Sequence, residues 1–367
     1  MTEDLAGRLA ARTLELVDLP SESGHEAAIL ARLRELVPAG RFEVADDDDA
    51  VLLFLPSERR VGVPLVILAG HVDTVPAAGN VPGRRERGAV VGRGASDMKG
   101  ALAVMLEVAG DDVAGSDLDL GLLFVGREEL PIAESALLPL LERSPALRGA
   151  DLAMVMEPTA NELQVGCMGN LNVTVRVAGT AAHSARPWLG ENAVHRAIAA
   201  LAPLVDLPAR DVEIDGLVFR EVVSVTRIQG GGARNVVPDR VEAHVNVRYA
   251  PNHTPAEAET RLRELLGSHP VEVEVVGNAP PGPVTVRNPL VGRLRDAGGL
   301  DVGPKQAWTP VAEFATAGID AVNFGPGDPR YAHRDDERVE VAALVRSTEI
   351  VRAFLAAGAG RAAREDA

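Results

Sequence analysis

Six side chains in this chain are of the right type to hold and use divalent metal: His71, Asp97, Glu128, Glu129, Glu157 and His333. Most follow a short apolar run. VILAG leads into His71 and, two residues on, Asp73; LLFVG leads into Arg127, Glu128 and Glu129; LAMVM leads into Glu157. AVNFG leads through the turn GPGDPRYA to His333, and Asp97 lies in GRGASDMKG ahead of a helical pattern whose N-terminus favours an anion. A single Glu after a strand is ordinarily a solvated carboxylate, and a single His is ordinarily structural or exposed. Several carboxylates gathered on one rim would instead repel and rise in pKa unless cations neutralised them. Asp97, Glu129 and Glu157 together carry three negative charges, which two divalent ions and one hydroxide cancel. Mixed His and carboxylate ligation suits zinc, with cobalt or manganese as alternatives. Two such ions, roughly 3.5–4 Å apart, share a carboxylate, activate water and polarise a carbonyl oxygen. Of the adjacent Glu128 and Glu129, one then ligates while the other moves a proton from water to the leaving nitrogen.

These residues reach one rim only if the runs before them are neighbouring strands. The stretches 64–69, 119–125 and 151–156 are short and fully apolar, as strands covered on both faces are. Helical spacing over 3–17, 25–37, 98–109 and 133–142 alternates with them, with Ser21 and Ser23 as candidate caps for the second helix. This is an α/β pattern whose ligands sit beyond the carboxyl ends of the strands. The middle reads differently. Alternation over 171–178, 221–229, 240–249 and 271–276, with helices over 191–205 and 254–267, gives the order β-α-β-β-α-β of a ferredoxin-like unit. After about residue 286 the first style returns, with a helix over 287–297, a strand over 320–324 and a long helix from 340. The expectation is a mixed sheet sandwiched by helices, built from 1–169 and 287–367, with 170–286 inserted. The tail 358–367 is expected to fray.

Composition narrows the function further. A net charge of −16 argues against nucleic acid and anionic lipid as partners. The start has no basic segment followed by an apolar run, and no apolar stretch reaches the roughly 18 residues of a membrane span, so a cytoplasmic protein is expected. The single Cys167 has no internal disulfide partner and no His–Asp arrangement in its vicinity to activate it. The acidic run Asp46–Asp49 lacks the spaced ligands of a calcium loop and reads as a solvated hairpin turn between strands at 41–45 and 50–55. Gly230–Gly232 is not followed by Lys and Ser/Thr, so it is not read as a phosphate loop. A non-catalytic ligand-binding α/β protein is the rival reading, with GRGASDMKG as its phosphate loop, but that segment lacks the third glycine of the dinucleotide fingerprint.

GHVDTVP (70–76), GRGASDMKG (92–100), the Glu128–Glu129 pair and MEP (156–158), in this order and spacing, resemble the motifs of the M20 metallopeptidases, a family of metal-dependent deacylases and exopeptidases. The resemblance spans nearly the whole chain. It implies a zinc-exopeptidase-like catalytic domain with an inserted lid and dimerisation domain, hence a homodimer acting on an N-acyl amino acid. Carried over by position, it implies one metal on His71 and Glu157, the other on Glu129 and His333, and Asp97 bridging. Glu128 would be the general base, and Asp73 would orient His71. His183, in GTAAHSARP, would stabilise the oxyanion from the same or a neighbouring subunit. Asn235 and Arg248 fall at positions implied to bind substrate, with Arg186 and Arg234 as weaker candidates. Segments 182–195, 231–251 and 323–339 are most similar to members that remove a succinyl group from an amino acid rich in carboxylates. Other deacylases and dipeptidases of the family would share every ligand. Two departures bear on substrate rather than chemistry: GCMGNL (166–171) lacks an Arg that some such members carry, and Arg127 replaces a usual acidic residue. His195 and His244 are read as belonging to the helix and strand of the inserted unit, and His25, His253 and His269 as exposed.

Overall fold

The computed structural model describes residues 2–111 and 116–356, so the tail expected to fray lies outside the described residues. The chain divides into two compact units. One holds the described residues of Met1–Gly166, Thr285–Gly303 and Thr309–Ala367; the other is Cys167–Val284 with Pro304–Trp308.

The larger unit is built on an eight-stranded mixed sheet. Leu65–His71 lies between Asp119–Val125 and Leu152–Val155 and runs parallel to both, and Ala321–Asn323 is parallel to Leu152–Val155. The hairpin Phe42–Asp47 and Val51–Pro56 adds an antiparallel edge. Every residue of Leu65–His71 and Asp119–Val125 is buried, which both faces of the sheet must be covered to achieve. Thr2–Val17, Gly100–Ala109, Pro289–Gly298 and Val341–Ala356 form one interlocking set of helices. Val311–Thr316 packs on Leu152–Val155 and Ala321–Asn323, and Leu137–Arg143 packs on it in turn.

The expected elements are present, with instructive differences. The helix expected over 98–109 begins at Gly100, because Asp97 and Met98 have non-helical backbone. The helix expected over 133–142 is broken: the Ser135 hydroxyl accepts the N–H groups of Leu137 and Leu138 and starts a separate helix, Leu137–Arg143. Ser21 and Ser23 cap nothing. Ala27–Leu36 has no side-chain cap, and the two hydroxyls donate to the Val72 carbonyl and the Asp73 carboxylate. The acidic run is more than a solvated turn, since Asp46 and Asp48 both pair with Arg143, and Asp49 with Arg127.

The smaller unit carries a five-stranded antiparallel sheet in the order Arg210–Ile214, Leu217–Gly230, Arg240–Tyr249, Gly169–Ala178, Glu272–Ala279. Leu171, Val173, Val175 and Val177 alternate with polar residues and pack with Val241–Val247 positions against the helices Ala193–Val205 and Pro255–Leu266. The first strand was not anticipated, although its signal is present: Asp215-Gly216, both at positive φ (49° and 81°), is the turn that a two-residue hairpin favours. Pro304–Trp308, expected in the larger unit, returns to the smaller one because Gln306 exchanges hydrogen bonds with Arg220 and Val218, and the Trp308 indole donates to the Pro280 carbonyl.

Candidate metal centre and active site

The three central parallel strands end together. His71 is level with Val125, and Ala69 with Val155, so the segments leaving Val125 and Val155 deliver Glu128, Glu129 and Glu157 to the same edge as His71. The turn bearing His333 fits close beneath. A Cβ on Gly325 would stand 2.2 Å from the Met156 carbonyl oxygen, and one on Gly327 would stand 2.1 Å from that of Ser96. Only glycine allows these backbones to meet.

Two clusters result, with Asp97 in both. His71 Nε2 lies 2.9 Å from Asp97 Oδ1 and 3.8 Å from Glu157 Oε1. His333 Nε2 lies 3.0 Å from Glu129 Oε1 and 3.4 Å from Asp97 Oδ2. Donor atoms of His71, Asp97 and Glu157 fall within 4.8 Å of one another, as do those of Asp97, Glu129 and His333. Ligands about 2.1 Å from a tetrahedral zinc stand about 3.4 Å apart, so this donor set fits a cation in each cluster, with the two oxygens of Asp97 facing different clusters. Glu128 joins His71 and Glu129 in a third, overlapping group.

The electrostatics of the metal-free site follow from this crowding. Burial and the carboxylates of Glu157, Glu129 and Asp97 push Glu128 well above the usual carboxylate range, against the pull of His71. Burial would likewise raise Asp97, yet its hydrogen bonds with His333 and His71 win and hold it low. Hydrogen bonds to Asp97 and Glu129 raise His333 to about 10. Burial opposes the proton on His71, but Asp73 and Asp97 outweigh it and hold its pKa well above the usual value. Protons on these histidines balance the carboxylates, and a divalent ion competes for the same lone pairs.

Asp73 sits differently from the simple expectation. His71 Nδ1 is 3.0 Å from the backbone carbonyl of Asp73 and 3.7 Å from its carboxylate. The carboxylate instead accepts the N–H groups of Glu128 (3.1 Å) and Glu129 (3.2 Å) and the Ser23 hydroxyl (2.7 Å). It therefore supports the backbone of the Glu pair at least as directly as the imidazole. Glu26, missed by sequence reasoning, accepts the Arg127 N–H at 3.2 Å, where Arg127 adopts a φ of 62°. No local motif marks Glu26; it follows an ordinary loop.

The remaining candidates belong to the smaller unit. His183 is exposed on a two-residue strand paired with Val236–Val237, and the Ser184 N–H donates to the Asn235 carbonyl, so His183 and Asn235 share one patch with exposed Arg186 and Arg234. Arg248 lies elsewhere, on the helix-free face of the sheet. Its Nε donates to Asn246 (3.2 Å), whose amide donates to Asn170 (2.7 Å) and Asn172 (2.8 Å). Burial pulls the Arg248 pKa down, and among the described residues no carboxylate pairs with it. His25 and His269 are exposed as expected, and His195 and His244 lie in the helix Ala193–Val205 and the strand Arg240–Tyr249 as expected. His253 is half-buried instead, 3.5 Å from the buried Glu221, and Cys167 is buried.

Comparison with known proteins bears directly on this geometry. Residues 67–357 match the model of peptidase family M20/M25/M40. The chain belongs to that family. It is 37% identical over 365 residues to succinyl-diaminopimelate desuccinylase of Corynebacterium glutamicum, covering 96% of this chain and 97% of the relative. It is 40% identical over 354 residues to a Mycobacterium tuberculosis protein provisionally given the same enzyme name, covering 96% and 99%. Among solved structures, aminopeptidase PepT of Bacillus cereus superposes with a TM-score of 0.76 at 22% identity, over 95% of this chain and 98% of that one. The YXEP protein of Bacillus subtilis, described as a dinuclear metal-binding peptidase of the M20 family, does so with a TM-score of 0.69 at 16% identity, over 96% and 98%. The mixed α/β fold and the metal-dependent hydrolase class follow from this membership. Among the described residues no helix is long and apolar enough to cross a membrane.

Proposed function

We propose that the chain hydrolyses the succinyl amide of N-succinyl-LL-2,6-diaminopimelate, releasing succinate and LL-2,6-diaminopimelate. The observation that carries the reading is the pair of His–carboxylate clusters sharing Asp97 with Glu128 alongside. The names of relatives at 37% and 40% identity over nearly the full length support the acyl group and the amine.

In this reading His71 and Glu157 would hold one divalent ion and Glu129 and His333 the other, with Asp97 offering a carboxylate oxygen toward each. Two such ions, zinc first and cobalt or manganese as alternatives, acidify water and polarise the amide carbonyl when bound. Glu128 takes the proton as water oxygen bonds to the amide carbon, and returns it to the nitrogen as the C–N bond breaks. Glu128, grouped with His71 and Glu129, stands close enough to both clusters to make the two transfers. Asp73 holds the backbone from which both glutamates project. His183 stabilises the oxyanion, from its own or a partner subunit, and Asn235 and Arg248 bind the substrate's carboxylates. The smaller unit serves as lid and dimerisation domain of a cytoplasmic homodimer.

A kinetic panel with zinc restored tests this. The highest kcat/KM is expected for N-succinyl-diaminopimelate, ahead of N-acetylornithine and dipeptides, with all activity lost to a chelator. A preference for either rival substrate overturns the substrate assignment.

A further inference from the structure

The loops that bring Asp97, His71 and His333 together converge on a buried ion pair outside the metal centre. Asp97 has extended backbone (φ −126°, ψ 88°), so neither its N–H nor that of Ser96 is committed to a helix. Both donate to Glu337 Oε1, at 3.1 and 3.2 Å. The other oxygen of Glu337 accepts from Arg93 Nη1 at 2.9 Å, and both side chains are almost wholly buried, 1% and 4% exposed. The same guanidinium donates to the Pro76 carbonyl (3.2 Å), at the end of the segment that carries His71 and Asp73, and to the Arg334 carbonyl (3.3 Å), next to His333. One guanidinium–carboxylate pair thus holds three ligand-bearing segments at once.

A buried ion pair contributes little net stability, because desolvation offsets most of the attraction, and its planar geometry fixes direction more than depth. We propose that Arg93 and Glu337 act as a positioning clamp that holds the Asp97 carboxylate between His71 and His333 and so sets metal affinity. This rests on the reading of Asp97 as the shared ligand. Neither clamp residue is placed among the donors themselves.

The test uses full-length protein stripped with chelator, comparing wild type with Glu337→Gln and Arg93→Lys. Zinc titration by calorimetry and the visible absorption of the cobalt-substituted protein report on the site, and circular dichroism and thermal unfolding of the metal-free protein report on the fold. The expected result is a 10–100-fold loss of affinity at one or both sites. A changed cobalt spectrum and a lower kcat with little change in KM should accompany it. Metal-free Arg93→Lys, which keeps the charge pair, should unfold close to wild type. Glu337→Gln leaves a buried guanidinium without its carboxylate and should unfold at a lower temperature. Folded variants that bind zinc as wild type does and give the wild-type cobalt spectrum overturn the clamp. Wild-type protein that binds no zinc overturns the ligand reading instead. Should Glu337→Gln fail to fold, Arg93→Lys decides, because it keeps the charge while losing the planar fork that reaches Pro76 and Arg334.

Discussion

The two sheets of this protein present chemistry in opposite ways. In the larger unit the central strands are buried along their whole length, and the polar groups come where the strands stop: His71, then the segments carrying Glu128, Glu129 and Glu157. In the smaller unit the strands bury one face only, and the polar groups lie along the other, as Asn170, Asn172, Asn246 and Arg248 do. Strand ends concentrate charge at one point, where only metal or protons can balance it. A strand face spreads donors over a surface, which suits recognition of an extended, carboxylate-rich molecule. On the proposed reading, metal and proton chemistry belongs to the first region, while the second supplies substrate recognition and the oxyanion contact of His183.

Substitutions can break that division. Glu128→Gln should cost the most, lowering kcat by 10²–10⁴-fold while zinc titration still finds both ions; near-wild-type turnover would remove Glu128 from its role. His183→Ala should come next, with a kcat loss on the order of 10²-fold and unchanged metal content, since it lies in the other unit. An equal loss of bound metal would erase the separation between the regions. Arg248→Ala should act mainly on KM, raising it about tenfold or more for the succinylated substrate. A pure kcat effect would place Arg248 with the chemistry instead.

The smallest effect concerns a buried carboxyl away from the rim. Burial raises Glu313 to about 7, against the hydrogen bond from the Ser135 hydroxyl. A carboxyl whose folded pKa exceeds its unfolded value stabilises the fold below the unfolded pKa, and that contribution is lost as pH rises toward 7. Glu313→Gln should therefore lift the melting temperature by a few degrees at pH 8 and change it little at pH 4. A uniform shift across pH would show that Glu313 is not the titrating group.

Much of the larger unit was legible because a strand buried on both faces must be apolar throughout, so VILAG, LLFVG and LAMVM announce themselves and the polar residue after each is conspicuous. The smaller unit was legible by alternation, except that Arg210–Ile214 was missed beside its Asp-Gly turn. Loop interiors gave no such signal. Ser21, Ser23 and Ser135 look alike in sequence, yet the first two anchor the His71–Asp73 segment and the third starts a helix.

The sequence by itself determined which residues can ligate, how many charges must be balanced and which strands end in them, because residue type and hydrophobic period are local properties. Only the tertiary structure decided what holds those residues in place: that the Asp73 carboxylate supports the two glutamates, that Glu26 supports Arg127, and that Arg93 and Glu337 join three segments. Arg93 and Glu337 lie 244 positions apart. No local period or motif ties residues so distant; their pairing exists only because folding brings both loops to one buried point, where each charge needs the other.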